Sequence, residues 1–183
     1  LDPESGVIAH HRHDPTRPTS LSSDHRVRDM AFDSRGRLWI ATDAGLYVKL
    51  PGDDEFRSFR FDPSVPMSLS DDRATTIYQD RGGVLWVGTY NGINNWNAVT
   101  DGFAHYVRST QSDSGLSSNV ITSFAETSDG SIWVGTSGGG LNLWNRESGT
   151  FQHFQHDPNN PNGVSDNRVM SLLMARSGDL WVG

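Results

Sequence analysis

The chain has 183 residues, with 15 Lys and Arg against 22 Asp and Glu, and no cysteine. A net charge of −7 without a basic run disfavours a nucleic-acid surface, which concentrates Lys and Arg. The absence of cysteine excludes disulfides, thiolate metal sites and a cysteine nucleophile, and no apolar run reaches the roughly 18 residues of a membrane-spanning helix.

Taken from the N-terminus, the chain divides into a short segment, three full repeats and a partial one. Residues 1–19 carry His10-His11-x-His13 and the turn phrase from His13 to Pro18. Residues 20–67 open with SLS at Ser20 and contain GRLWIAT at Gly36–Thr42. Residues 68–114 open with SLS at Ser68 and contain GVLWVGT at Gly83–Thr89. Residues 115–163 open with GLS at Gly115 and contain GSIWVGT at Gly130–Thr136. The last segment, 164–183, includes GDLWVG at Gly178–Gly183. The four Trp of this phrase, Trp39, Trp86, Trp133 and Trp181, are spaced by 47, 47 and 48 residues. Residues from Ser5 align with those from Ser148, so the first segment is predicted to be the tail of a preceding repeat and the last the head of a further one.

One repeat builds four short strands. From Arg73 the sequence runs ATTIYQD, VLWVGT, INNWNAV and FAHYV, and each segment ends at a Gly-containing turn. None is long enough for an ordinary helix. Apolar residues on both sides of Trp86 predict a strand buried on both faces. Four strands repeating at about 45 residues are the mark of a β-propeller blade, whose Trp packs between blades. The fold class is therefore all-β: a β-propeller fragment of about four blades' worth of four-stranded antiparallel sheets. Trp96 and Trp144 share a third-strand position where the first repeat has Lys49, and are read as interblade packing.

The pattern D-x-x-G-x-L-W-V-G-T-x-x-G-L, preceded by S-L-S-x-N-x-V, resembles the two-component regulator propeller repeat. Its matches are Asp33–Leu46, Asp80–Ile93 and Ser128–Leu141, and the outer-strand phrase F-x-H-D-P-x-x-P-x-S-L-S is matched at His13–Ser22 and Phe61–Ser70. The resemblance implies a periplasmic sensor domain of a membrane receptor whose output is a histidine kinase, a hybrid two-component protein or a diguanylate cyclase. It also implies a longer parent propeller, with any membrane contact made through parts outside these residues. Relatives of this kind are associated with oligosaccharides.

Binding groups concentrate on loops held by a rigid scaffold. Counting 14 and 13 residues back from each Trp gives His25-Arg26, Asp72-Arg73, Asn119-Val120 and Asn167-Arg168, predicted to recur around the channel mouth. A second loop on that face carries Asp43, Tyr90-Asn91 and Ser137-Gly138. The ligand-binding candidates are thus His25, Arg26, Asp72, Arg73, Asn119, Asn167, Arg168, Tyr90 and Asn91. Hydrogen-bonding side chains with an aromatic face suit a small polar ligand or an oligosaccharide. The competing reading is that Asn and Asp there cap local turns.

No catalytic residue, metal site or cofactor is predicted. The His tract falls on the outermost, solvated strand. The Asp-x-x-Gly turns lack the remaining ligands of a calcium loop. A propeller lyase is the enzymatic alternative, and it would need an acid–base pair such as His25 with Asp24 or Asp72. A protein-interaction scaffold is a further one. The complementary ends also raise self-association that completes a propeller.

Overall fold

The computed structural model describes residues 11, 13–17, 19–21, 26–109 and 114–183. Its strands form three four-stranded antiparallel sheets and one two-stranded sheet, each in chain order. The first sheet is β1 (Val27–Phe32), β2 (Leu38–Thr42), β3 (Gly45–Lys49) and β4 (Arg57–Phe59). The second is β5 (Ala74–Gln79), β6 (Leu85–Thr89), β7 (Gly92–Asn97) and β8 (Gly102–Tyr106). The third is β9 (Ile121–Glu126), β10 (Ile132–Thr136), β11 (Gly140–Asn145) and β12 (Thr150–Phe154). β13 (Leu172–Met174) pairs with β14 (Leu180–Val182). The architecture is a β-propeller segment, and the inner strands β1, β5, β9 and β13 lie side by side.

The repeated letters have local causes. In the second and third sheets the last Ser of the small-apolar-Ser phrase is tied to the third strand. Ser70 N–H donates to Asn94 Oδ1 at 2.8 Å, and Asn94 Nδ2 donates back to Ser70 Oγ at 2.9 Å. Ser117 and Asn142 repeat the exchange at 3.0 and 2.8 Å. Thr89 closes the network by donating to the Gly92 carbonyl at 2.9 Å and lying 2.9 Å from Ser70 Oγ. Asn94 is fully buried, so every one of these bonds replaces water that cannot reach it. Gly92 itself has φ of 102°, and a Cβ there would lie 2.4 Å from the Tyr106 carbonyl oxygen, so only Gly fits. The third repeat has one more residue in this hairpin, and Gly140 rather than Gly139 pairs with Thr136.

The three four-stranded sheets pack face to face along two seams. Cross-strand partners share a face, so Trp39, Val48 and Ala31 look toward the second sheet, as Trp86, Asn95 and Tyr78 look toward the third. Trp39 meets Trp96 edge to face at 5.2 Å, and Trp86 meets Trp144 in the same way at 4.8 Å. The indole N–H groups of Trp96 and Trp144 have no oxygen acceptor. Their shared edge-to-face setting is one in which an aromatic ring can take that role. In the second seam Tyr78 faces Glu126. Burial first, and then that carboxylate, push its phenol up to about 12.

The turn Asp anchors the buried Trp. Asp33 Oδ2 accepts from Trp39 Nε1 at 2.8 Å and Arg37 Nε at 2.5 Å, while Oδ1 accepts the N–H groups of Arg35 and Arg37. Asp80 Oδ2 accepts from Trp86 Nε1 at 3.1 Å and from Arg146 Nη2 at 2.9 Å, the latter reaching across from the third sheet. Arg37 sits where the second repeat has Val84, and Arg146 where it has Ala98. Each buried carboxylate thus has one guanidinium, supplied from a different side. The third repeat has Thr127 at this position, and its Trp133 is only half-buried.

The seams also differ in volume. Ala41 of β2 lies at the repeat position of Gly88 and Gly135. The opposing inner-strand residue is Ala74 in the first seam and Ile121 in the second. Val169 takes that position where the chain enters β13. A Cβ on Gly88 would fall 2.7 Å from Ile121 Cγ2, and one on Gly135 would fall 2.9 Å from Val169 Cγ1. Gly88→Ala is therefore expected to cost about 1–3 kcal/mol by overpacking. Urea denaturation would show this, and a second change, Ile121→Ala, should cost less in that background than in the wild type.

Candidate functional site

The inner strand of each four-stranded sheet breaks its period once. The register skips between Val27 and Asp29, between Ala74 and Thr76, and between Ile121 and Ser123. The extra residues are Arg28, Thr75 and Thr122. A β-bulge turns a side chain out of the regular alternation, and these three line one cavity of about 260 Å³ together with Met170, Tyr90, Val120, Ile121 and Ser137. The cavity collects residues from all three four-stranded sheets and from the chain leading into β13. It marks the channel side of the propeller segment.

The charged groups at and beside it are paired locally. Arg28 Nε donates to Asp43 Oδ1 at 2.6 Å, and Arg73 binds Asp71 through Nε at 3.1 Å and Nη2 at 3.2 Å. Both guanidinium groups lie by the Tyr90 ring, Arg73 at 4.3 Å from its centroid and Arg28 at 5.8 Å. The bonds to Asp43 and Asp71 raise the two arginine pKa values above the ordinary one, so both stay charged. The result is an aromatic ring flanked by two cations, each with a carboxylate. Such a set offers a flat apolar surface, several N–H donors and carboxylate acceptors within one small volume.

Larger clefts lie elsewhere. One of about 480 Å³ opens beside Trp39, Trp96 and Arg57, one of about 560 Å³ beside Trp144 and Arg146, and one of about 580 Å³ beside Phe154 and Val182. They follow the edges and seams of the sheets. Size alone does not make a binding site, and convergent polar groups distinguish the channel cavity.

The residues expected from sequence are placed as follows. Tyr90 lines the cavity and Arg73 stands over its ring. Asn91 is next to it, donating to the Ser70 carbonyl at 3.2 Å and accepting from Asn119 Nδ2 at 3.1 Å. Asp72, Asn119 and Asn167 share a second task. Each accepts the backbone N–H eleven residues earlier, from Phe61 at 2.7 Å, Arg108 at 2.6 Å and His156 at 2.8 Å. Their side-chain oxygens close the loop from outer strand to next inner strand. Arg26 is exposed, and its carbonyl accepts the Asp43 N–H at 3.2 Å. Arg168 is exposed and bridges to Ser137. His25 lies outside the described residues, as do His10 and Asp24.

The remaining histidines are used structurally. His13 and His156 each place Nδ1 at 3.1 and 3.0 Å from a loop carbonyl eight residues on. His105 and His153 bond the Ser68 and Gly115 carbonyls through Nε2 at 2.6 and 2.7 Å. His11 meets Phe56 edge to face. Among the described residues no cluster of His, Asp and Glu is arranged to hold a metal ion.

Counting back from the Trp missed Arg28, Thr75, Thr122 and Met170. All four stand eleven residues before a repeat Trp. That spacing was available in the sequence, but the bulge that aims them was not.

The comparisons with known proteins agree with this architecture. The sequence model described as two component regulator propeller matches residues 20–44, 68–91 and 115–138. No curated protein matches the chain. Among solved structures, the chain is similar to the extracellular domain assigned to hybrid two component system BT3049 of B. thetaiotaomicron. The identity is 23% and the TM-score 0.76, over 88% of this chain and 22% of that one. It is also similar to PorZ, a surface component of the type-IX secretion system of Porphyromonas gingivalis, with 18% identity and TM-score 0.63, over 93% of this chain and 26% of that one. A third is the virginiamycin B lyase of Staphylococcus aureus, with 15% identity and TM-score 0.62, over 87% of this chain and 49% of that one. The chain spans about a quarter of the two longer structures and half of the lyase. These identities speak to the fold alone. Among the described residues no helix is long and apolar enough to cross a membrane. The matched segments cover the first two strands of each four-stranded sheet, and the chain is a β-propeller segment of which three repeats match the two component regulator propeller model.

Proposed function

We propose that the chain is a non-catalytic, ligand-sensing propeller segment of a bacterial transmembrane signalling receptor, working on the periplasmic side. Its ligand is small and polar, an oligosaccharide in the first instance, and binds at the channel mouth. The observation that carries this reading is Tyr90 flanked by Arg28 and Arg73, each paired with a carboxylate, beside a cavity built from several sheets. Sugars present an apolar ring face and a rim of hydroxyls that both donate and accept. An aromatic ring edged by Arg–Asp pairs matches both. To signal, such a ligand must bind two arrangements of the receptor with different affinity.

Calorimetry with a panel of neutral and uronic-acid oligosaccharides tests the assignment. Tyr90→Ala and Arg73→Ala should each weaken binding at least about tenfold while leaving the fold intact, since both side chains are partly exposed. Equal binding by Tyr90→Ala and wild type would refute the site.

The lyase reading has less support. The described histidines lie on or beside outermost strands and bond loop carbonyls or an aromatic ring, away from the cavity. Its remaining candidate is His25, and turnover of a cyclic or polymeric substrate that disappears in His25→Ala would revive it.

A further inference from the structure

We propose that the channel site selects an uncharged ligand. Arg28 and Arg73 serve there as hydrogen-bond donors whose positive charge is cancelled in place by Asp43 and Asp71, so that a neutral saccharide binds and its uronic-acid counterpart is turned away. This selection rests on the reading of the cavity as a saccharide site.

The turn before the inner strand shows what the carboxylates are for. Asp71 stands two residues before Arg73, and Asp166 two before Arg168. Each carboxylate accepts the backbone N–H of its arginine, Asp71 at 2.8 Å and Asp166 at 2.6 Å. The third repeat has Ser118 and Val120 at these positions. Ser118 Oγ still accepts the Val120 N–H, at 3.4 Å. A hydroxyl is therefore enough to cap this turn. The carboxylate occurs where an arginine follows, and the two are exchanged together. In the first repeat the letters Asp24-x-Arg26 show the same pairing. Asp71 spends its charge on the side chain as well, binding Arg73 Nε at 3.1 Å and Nη2 at 3.2 Å.

Arg28 is neutralised from a different turn. Asp43, between β2 and β3, accepts from its Nε at 2.6 Å. Asp71 is the direct partner of Arg73, and Asp43 acts on that arginine too, at longer range. The other residues eleven before a repeat Trp are Thr75, Thr122 and Met170, none of them charged. Beside Tyr90, two cations thus meet two anions.

The balance still leaves groups for a ligand. A guanidinium carries five N–H donors. Asp43 engages Arg28 through Nε, and Asp71 engages Arg73 through Nε and Nη2, so donors remain for ligand hydroxyls. Those hydroxyls can in turn donate to the two carboxylates. A uronic acid at neutral pH brings one more anion into a set that is already balanced. It must displace Asp43 or Asp71 from its arginine, or enter unpaired, and both are costly for a charge leaving water. Rejection by an unpaired charge is a general route to specificity.

Calorimetry at low salt with matched disaccharides decides the matter: galactobiose with digalacturonic acid, mannobiose with dimannuronic acid, and cellobiose with diglucuronic acid. Within a pair, a hydroxymethyl group is exchanged for a carboxylate. In at least one pair the neutral sugar should bind at least about tenfold more tightly than its acid. Asp71→Ser copies Ser118 and so keeps the turn cap. It should shift that ratio toward the acid by at least about fivefold, with unchanged circular dichroism. Inorganic sulfate reads the charge without requiring the right sugar. The wild type should not bind it at millimolar concentration, and Asp43→Asn combined with Asp71→Ser should. An acid that binds as tightly as its neutral partner overturns the selection and leaves the saccharide site standing. Sulfate bound by the wild type at Tyr90 overturns the charge balance, and a ratio indifferent to Asp71→Ser overturns the role of that carboxylate. If none of the six sugars binds, the saccharide reading falls and the selection with it.

Discussion

Trp86→Ala should destabilise the chain by about 3–5 kcal/mol, the range for removing a fully buried aromatic. Trp86 is 1% exposed and touches both sides of a seam: Trp144 at 4.8 Å, Tyr106 at 6.1 Å and Phe124 at 6.5 Å. Its loss would leave a cavity that two stiff sheets cannot collapse into. It would also leave Asp80 without one of its donors. Urea unfolding monitored by circular dichroism measures the effect. Trp133→Ala should cost clearly less. Trp133 is half-buried, meets Phe154 at 5.1 Å, and has Thr127 where the first two repeats place an Asp. Equal losses at the two positions would show that burial between full sheets is not what makes Trp86 important.

The second large effect is expected at Asp33. Burial pushes its carboxyl up. Hydrogen bonds from Trp39, Arg37 and Arg35 outweigh that, and the group lies below the ordinary carboxylate range. Asp33→Ala removes one partner of a buried ion pair. It leaves Arg37, whose side chain is 16% exposed, and the Trp39 N–H without their acceptor. A loss of about 3–5 kcal/mol is expected. The pH dependence follows from the lowered pKa. The unfolded chain binds the proton more readily than the folded one, so the stabilisation is present above the unfolded carboxylate value. It disappears as pH falls through the folded one. Asp33→Asn should therefore flatten the acid limb of the stability curve. An unchanged acid limb would show that the Asp33 charge is not linked to folding.

The fold was legible because its determinants are local and repeated. Gly92 must be Gly for its own φ and for the Tyr106 carbonyl, and the Trp strands must be apolar on both sides because sheets cover both. Such requirements write themselves at fixed spacing. The candidate site was legible only in part. Tyr90 stands out in the sequence as a departure from the repeat, and Arg73 falls at a position where Arg26 and Arg168 recur. Arg28 gives no such signal, because a regular strand would point it elsewhere and only the skip between Val27 and Asp29 turns it inward. Its meeting with Tyr90 depends on how successive sheets are stacked. The loop-closing role of Asp72, Asn119 and Asn167 was also hidden. A donor eleven residues upstream looks like any other backbone N–H until the chain has folded back.

The pairing of Ala41 with Ala74, Gly88 with Ile121 and Gly135 with Val169 has a bearing on assembly. A chain of near-identical blades risks docking the wrong neighbours while it folds, a characteristic failure of repeat proteins. If the second sheet's β6 met Ala74 in place of Ile121, Gly88 would face a void. If Ile121 came against Ala41, the extra methyl groups would collide. The matched volumes act as an address, legible only to the correct neighbour. Shuffling blades within this chain should therefore cost more than exchanging the whole matched pair at a seam.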